Sequence, residues 1–137
     1  MSPIGLDNGI QIKRKQGLPD EVFKKFDTDI SRKWEYDLEV AYWRKCWNIR
    51  SLIYDVLGAE QENDSEIPMD RQDVLNVIKA LKGVNRKNWE YDEWGGGSIW
   101  EWGEYKNTHR RNIANLQWLA RFMKKHPNIE VYFYDSY

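Results

Sequence analysis

Residues 37–57, DLEVAYWRKCWNIRSLIYDVL, decide how the rest of the chain is read. Leu38, Ala41, Tyr42, Cys46, Ile49, Leu52, Ile53 and Val56 recur at steps of three and four, the spacing of one helical face. Asp37 is placed to cap the start, and Glu39 falls in the first turn, where the macrodipole favours a negative charge. Gly58 follows the last apolar residue and suits a left-handed C′ position. The spacing predicts a central helix over 37–57, about 30 Å long at about 1.5 Å per residue.

The other side of that helix would carry Val40, Trp43, Trp47, Arg50 and Tyr54, again at steps of three and four. Two readings follow. Either the helix is packed on both sides, with Arg50 snorkelling past its neighbours. Or the rings and the guanidinium face outward as a strip that stacks planar ligands or anchors a protein partner.

A chain of 137 residues fits one domain, here 1–137, and can bury about two-thirds of its unfolded surface. The net charge of −1 provides no overall field toward nucleic acid or membrane. Basic pairs and triplets (Lys13-Arg14-Lys15, Lys24-Lys25, Arg32-Lys33, Arg44-Lys45) crowd the first third, and Glu60, Glu62, Asp64 and Glu66 form an acidic run. Such a pattern fits a polarised surface or ordinary solvated faces. Cys46 is the single cysteine, so no intrachain disulfide forms, and its place on the aliphatic stripe makes it a small buried hydrophobe. No signal peptide is recognisable and no apolar run approaches the ~18 residues of a membrane span. A soluble, cytoplasmic protein is the expectation. Eight tryptophans and eight tyrosines serve cores and interfaces alike.

Outside the central stretch, Asp7-Asn8-Gly9 is a hairpin-turn signal, and Ile10 and Ile12 alternate with Gln11 and Lys13 as in a half-buried strand. A turn over 17–20 leads into a short helix, EVFKKF, at 21–26, and residues 58–68 form an acidic loop closed by Pro68. Asp70 caps a helix with Val74, Leu75, Ile78 and Leu81 on one face, Asp73 completes a capping box, and Gly83 stops it. Residues 89–103, WEYDEWGGGSIWEWG, set four tryptophans around Gly95–Gly97. The run lacks the lysine and hydroxyl of a phosphate loop, and its tryptophans either close over a pocket or tuck under and pin it. A third helix over 104–126 turns Ile113, Leu116, Leu119, Ala120 and Met123 to the core, with His109 on the same side as a hydrogen-bonded core residue, and Pro127 ends it. Residues 129–137, IEVYFYDSY, read as a strand with Val131 and Phe133 on one side and Tyr132 and Tyr134 on the other. Its natural partner is the strand at Ile10–Ile12. The predicted fold is α+β, mostly α: three main helices and a small sheet formed by the N- and C-terminal strands.

Three segments, IGLDNGI at 4–10, EVAYWRK at 39–45 and VYFYDSY at 131–137, together resemble a widespread group of small phage and prophage proteins. That group starts Met-Gly-Leu-Asp and ends in a tyrosine-rich strand; here Met1-Ser2-Pro3 precedes Ile4-Gly5-Leu6-Asp7. The resemblance implies an accessory product of mobile elements that modulates host machinery or host defence by binding, and it brings no catalytic residue or cofactor with it.

The residues alone point to no catalytic set. His109 and His126 lie far apart on one helix, and no HExxH, CxxC or GxSxG occurs. Asp7, Glu39 and Asp135 would converge if the terminal strands pair beside the central helix, the basis for a metal-dependent hydrolase as a third reading. The expected catalytic, metal and cofactor sets are therefore empty. The binding candidates are Trp43, Trp47, Arg50, Tyr54, Trp100, Trp102, Tyr132 and Tyr134. Aromatic and arginine side chains in one strip match interface hot spots, so a protein partner or a homodimer comes first. A nucleotide held between rings and Arg50 comes second. Duplex nucleic acid is disfavoured for want of a continuous basic face.

Overall fold

A computed structural model describes residues 6–13, 19–26, 37–60, 66–91, 98 and 100–136. In chain order the elements are β1 (Asp7–Ile12), α1 (Asp20–Phe26), β2 (Leu38–Arg44), α2 (Trp47–Leu57), β3 (Glu66–Met69), α3 (Arg71–Lys82), α4 (Arg86–Tyr91), α5 (Trp102–Lys125) and β4 (Val131–Ser136). The strands form one antiparallel sheet in the order β2-β1-β4-β3. The fold is α+β, as the periodicities predict, and β1 and β4 do pair, from Asp7 opposite Ser136 to Ile12 opposite Val131. These terminal strands are the middle of a four-stranded sheet, wider than the expected pair.

Residues 37–57 do not form one helix. Leu38–Arg44 is a strand paired with β1, Lys45 turns the chain at φ 57°, and only Trp47–Leu57 is helical. The physical reason is a bulge. Ile10 faces Ala41 while Gln11 faces Glu39, so Val40 is the extra residue and both Val40 and Ala41 are buried. That doubling breaks the alternation of a strand and leaves Leu38 and Ala41 three apart, which mimics a helix. The β-branched and aromatic run Val40–Trp43 meanwhile favours the pleated surface.

Two other expectations are corrected. Asp7, Asn8 and Gly9 are not a turn but the first half of β1. A side chain at Gly9 would stand 2.7 Å from the Ala41 carbonyl, 2.8 Å from Glu39 Oε2 and 2.9 Å from the Tyr134 ring, so close cross-strand approach requires this glycine. The acidic stretch ends in an edge strand, β3, which carries Pro68; proline is tolerated at a sheet edge. The turn at 17–18, residues 27–36 and 61–65, and the glycine run Gly95–Gly97 lie outside the described residues.

The helices follow their local signals. Asp70 accepts from the Asp73 amide at 2.8 Å while Asp73 accepts from the Asp70 amide at 2.9 Å, the predicted box at the start of α3. Gly58 ends α2 at φ 66°, as its position implied. Along α5, Tyr105, His109, Asn112, Leu116, Leu119, Ala120 and Met123 are buried. This helix lies against α3 and β2. It also seals an edge of the sheet: Asn112 donates to the Tyr42 carbonyl at 3.0 Å and accepts from its amide, and Asn115 donates to the Val40 carbonyl at 3.2 Å. Two side-chain amides thus stand where a fifth strand would pair.

Candidate functional site: a cleft beside Tyr132 and the tyrosine face of the sheet

Of the two readings of the ring and guanidinium side chains at 43–54, the outward-facing strip is not the one that forms. Trp43 is fully buried in the core, and Tyr54 is nearly so, with its ring edge-on to Phe133. Arg50 is 4% exposed, and its Nε donates to Asp135 Oδ2 at 2.5 Å. The Tyr54 hydroxyl donates to the same oxygen at 2.9 Å. Trp47 is half-buried, with the Arg50 guanidinium 5.4 Å from its ring centre. The packed-on-both-sides reading holds for these rings, but across a strand and a short helix rather than along one rod.

The tryptophans after the glycine run tuck under. Trp100 donates from Nε1 to the Arg44 carbonyl at 2.8 Å, and Trp89 donates from Nε1 to the Trp100 carbonyl at 2.9 Å. Trp102 is half-buried between Trp89 and His109. His109 is buried with Nε2 2.8 Å from the Leu81 carbonyl, the hydrogen-bonded core histidine expected. Burial lowers its pKa; the Leu81 carbonyl opposes this and Arg110 adds to it. Cys46 is buried as anticipated, and burial pushes its thiol up to about 12, far from nucleophilic use.

Asp7, Glu39 and Asp135 do not converge. Asp135 belongs to the helix-covered side with Arg50, whereas Glu39 meets Tyr134 on the other side. Among the described residues no three His, Cys, Asp or Glu side chains are grouped to hold a metal.

The sheet face away from the helices pairs each of its tyrosines with a carboxylate. Tyr42 donates to Asp7, Tyr132 to Asp37 at 2.5 Å, and Tyr134 to Glu39 at 2.7 Å. Tyr132 also meets Gln11 Oε1. Burial, then the carboxylate beside each, raises the pKa of all three phenols, so each keeps its hydrogen. Burial, with a smaller push from Asp7, lifts Glu39 to about 7 against the opposing hydrogen bonds of Tyr134 and Gln11.

Tyr132 also borders a cleft of about 830 Å³ where β3 and β4 meet the start of α3 and the end of α5. Met69, Met123, Ile129 and Val131 supply apolar lining, and Lys13, Glu66, Asp73 and Lys124 supply charge of both signs. Lys13 and Glu66 pair at 3.7 Å, and the Lys13 ammonium lies 5.4 Å from the centre of the Tyr132 ring. Of the eight sequence candidates only Tyr132 lines this cleft. The others missed it because its residues come from element ends spread over the chain. The sequence marks near it were Pro68, in the strand that leads into α3, and Pro127, just past the end of α5.

Among the described residues no helix is long and apolar enough to cross a membrane. No family model, curated protein or solved structure matches this chain.

Proposed function

We propose that this chain is a non-enzymatic protein-interaction module, and that a segment of its partner lies in the cleft beside Tyr132. The observation that carries this is the lining. Two methionines and branched aliphatics give an adaptable apolar floor, and side chains of both signs surround it. A peptide with an apolar anchor between charged residues matches that pattern. The resemblance at both ends and at residues 39–45 supports a small phage-type accessory protein that acts in the cytoplasm on host machinery or defence.

A nucleotide is the second reading, favoured by one fact: the Tyr132 ring lies under Lys13, with Lys124 lining the same cleft. Against it, Asp70 and Asp73 already occupy the start of α3, the place a phosphate would take. A metal-dependent hydrolase and a homodimer through residues 43–54 have less support, given the dispersed carboxylates and the burial of Trp43 and Tyr54.

Selection from a random peptide display library tests the main reading. Selected peptides should perturb the NMR methyl signals of Met69, Met123 and Ile129, and Ile129→Lys should abolish their binding. Perturbations confined to other surfaces, or a melting temperature raised by ATP or GTP but by no peptide, would overturn it.

A further inference from the structure

We propose that the solvent face of α5 holds a single strand of nucleic acid, with phosphates on two groups of cations and an unstacked base beside Trp118 between them. From Tyr105 to Ile129 the chain contains no aspartate or glutamate but six lysines and arginines. The net charge of −1 conceals this run, because the balancing carboxylates lie elsewhere. Asp7, Asp37 and Glu39 are taken up by the tyrosines on the far face of the sheet, and Asp70 and Asp73 by the box that starts α3.

Folding turns the run outward. One side of α5 is buried through His109, Leu116, Leu119 and Met123, and the helix packs on α3 and β2. Arg110, Arg111, Arg121, Lys124 and Lys125 are left exposed, and Lys106 half-exposed. Among the described residues none of these six forms an ion pair. The arrangement costs the helix stability, because Lys106 and Arg110, and Arg121 and Lys125, stand four apart, where like charges repel. For Lys124 and Lys125 the helix end offsets that cost, since the macrodipole favours cations there. Arg110 and Arg111 are more than two turns from either end, where the helix itself does not call for them.

What lies among the charges decides the kind of anion. Gly103, Asn107, Ala114 and Gln117 separate them, and among the described residues no large aliphatic side chain is exposed. A helix on a membrane needs an apolar face to sink into lipid, and a protein interface needs an apolar core. A phosphate backbone needs only cations and amides. The cations form two triplets, at 106–111 and 121–125, whose centres are about 20 Å apart along the helix at about 1.5 Å per residue. Trp118 is half-buried beside the gap between them. Phe122 stacks on it at 4.9 Å, Phe26 packs edge-to-face with it, and Lys25 Nζ lies 6.0 Å from its ring centre. Cations on either side of a ring suit a strand whose bases are free to turn out, whereas a duplex keeps its bases stacked and offers the ring nothing.

Fluorescence anisotropy of a labelled uridine oligomer of about 20 nucleotides, titrated with the whole protein, tests this. Between about 50 and 200 mM salt the log–log slope of affinity should be about −0.7 for each phosphate contacted. Arg110→Gln with Arg111→Gln should flatten that slope by about 1.4, the share of two contacts, and Arg121→Gln with Lys125→Gln should do the same from the other triplet. Both changes relieve repulsion, so the melting temperature should hold or rise, and Arg110→Lys with Arg111→Lys should keep the slope. The Trp118 indole NMR signal should move when the strand is added. No binding at the lower salt, a slope that both double variants leave unchanged, tighter binding to an adenine–uridine duplex of that length, or binding only to phosphatidylserine vesicles would overturn the proposal. Lys124 stays unaltered because it also lines the cleft, so no outcome bears on what occupies the cleft.

Discussion

Arg50 and Asp135 stand 85 positions apart in the chain and meet inside the protein at 2.5 Å, with the Tyr54 hydroxyl on the same carboxylate oxygen. Removing one member of such a pair leaves a buried charge unbalanced, whereas removing both restores neutrality. Arg50→Met should therefore cost about 3–5 kcal/mol in urea unfolding, and adding Asp135→Leu should recover much of it. A single variant with near wild-type stability would show that the pair is not an internal one. His109 makes a second residue-scale prediction, one of pH. Its Nδ1 is buried without a partner, and burial keeps the folded ring neutral below its ordinary 6.5. The unfolded chain therefore binds the proton first, so this contribution is fully present above pH 6.5 and is lost as pH falls. Glu39 has the opposite sign, because its folded pKa is raised from 4.5 to about 7 and stability is lost as pH rises through 7. Acid loss from His109 should therefore be clearest in a Glu39→Gln background, and His109→Gln should reduce it in chemical denaturation between pH 6.5 and 5.

At the scale of elements, the sheet edge at β2 is closed by Asn112 and Asn115 rather than by another strand. Asn112→Ala should lower stability by about 1–2 kcal/mol and also expose backbone groups of Tyr42 to other chains. Concentration-dependent light scattering by the variant, absent in the wild type, is the expected readout. The junction of β2 and α2 rests on Lys45 at φ 57°, a conformation glycine adopts more easily. Lys45→Gly should thus be neutral or stabilising by up to about 1 kcal/mol in thermal unfolding, against the usual direction for glycine. These two elements also mark the limit of the sequence reading. α3, α5 and β4 were legible because Asp70, Gly83, Pro127 and the alternation Val131–Tyr134 are local signals. β2 was not, because one extra residue at Val40 disguised its alternation, and β3 was too short and carried Pro68. Tyr132 and Tyr134 could be named as candidates, but nothing local places Glu39 across the sheet from one or Asp37 beside the other. The cleft was less legible still, being assembled from the ends of four elements.

For the molecule as a whole, the sheet order puts the first and last strands side by side at its centre. Pairing of that kind closes nearly the full length of the chain, a loop whose entropy must be met before the contact rewards it, so refolding should be slower than for a helical bundle of this size. Stopped-flow refolding should show it, and a chain ended at Glu130 should give no cooperative unfolding transition. A folded product of that length would mean β1 finds other support. The inner position of β4 has a consequence for how the protein comes into being. β4 is the keystone: until it docks, β1 and β3 each present an unsatisfied edge where the sheet should join. A chain in that state invites proteolysis or clumping through those edges.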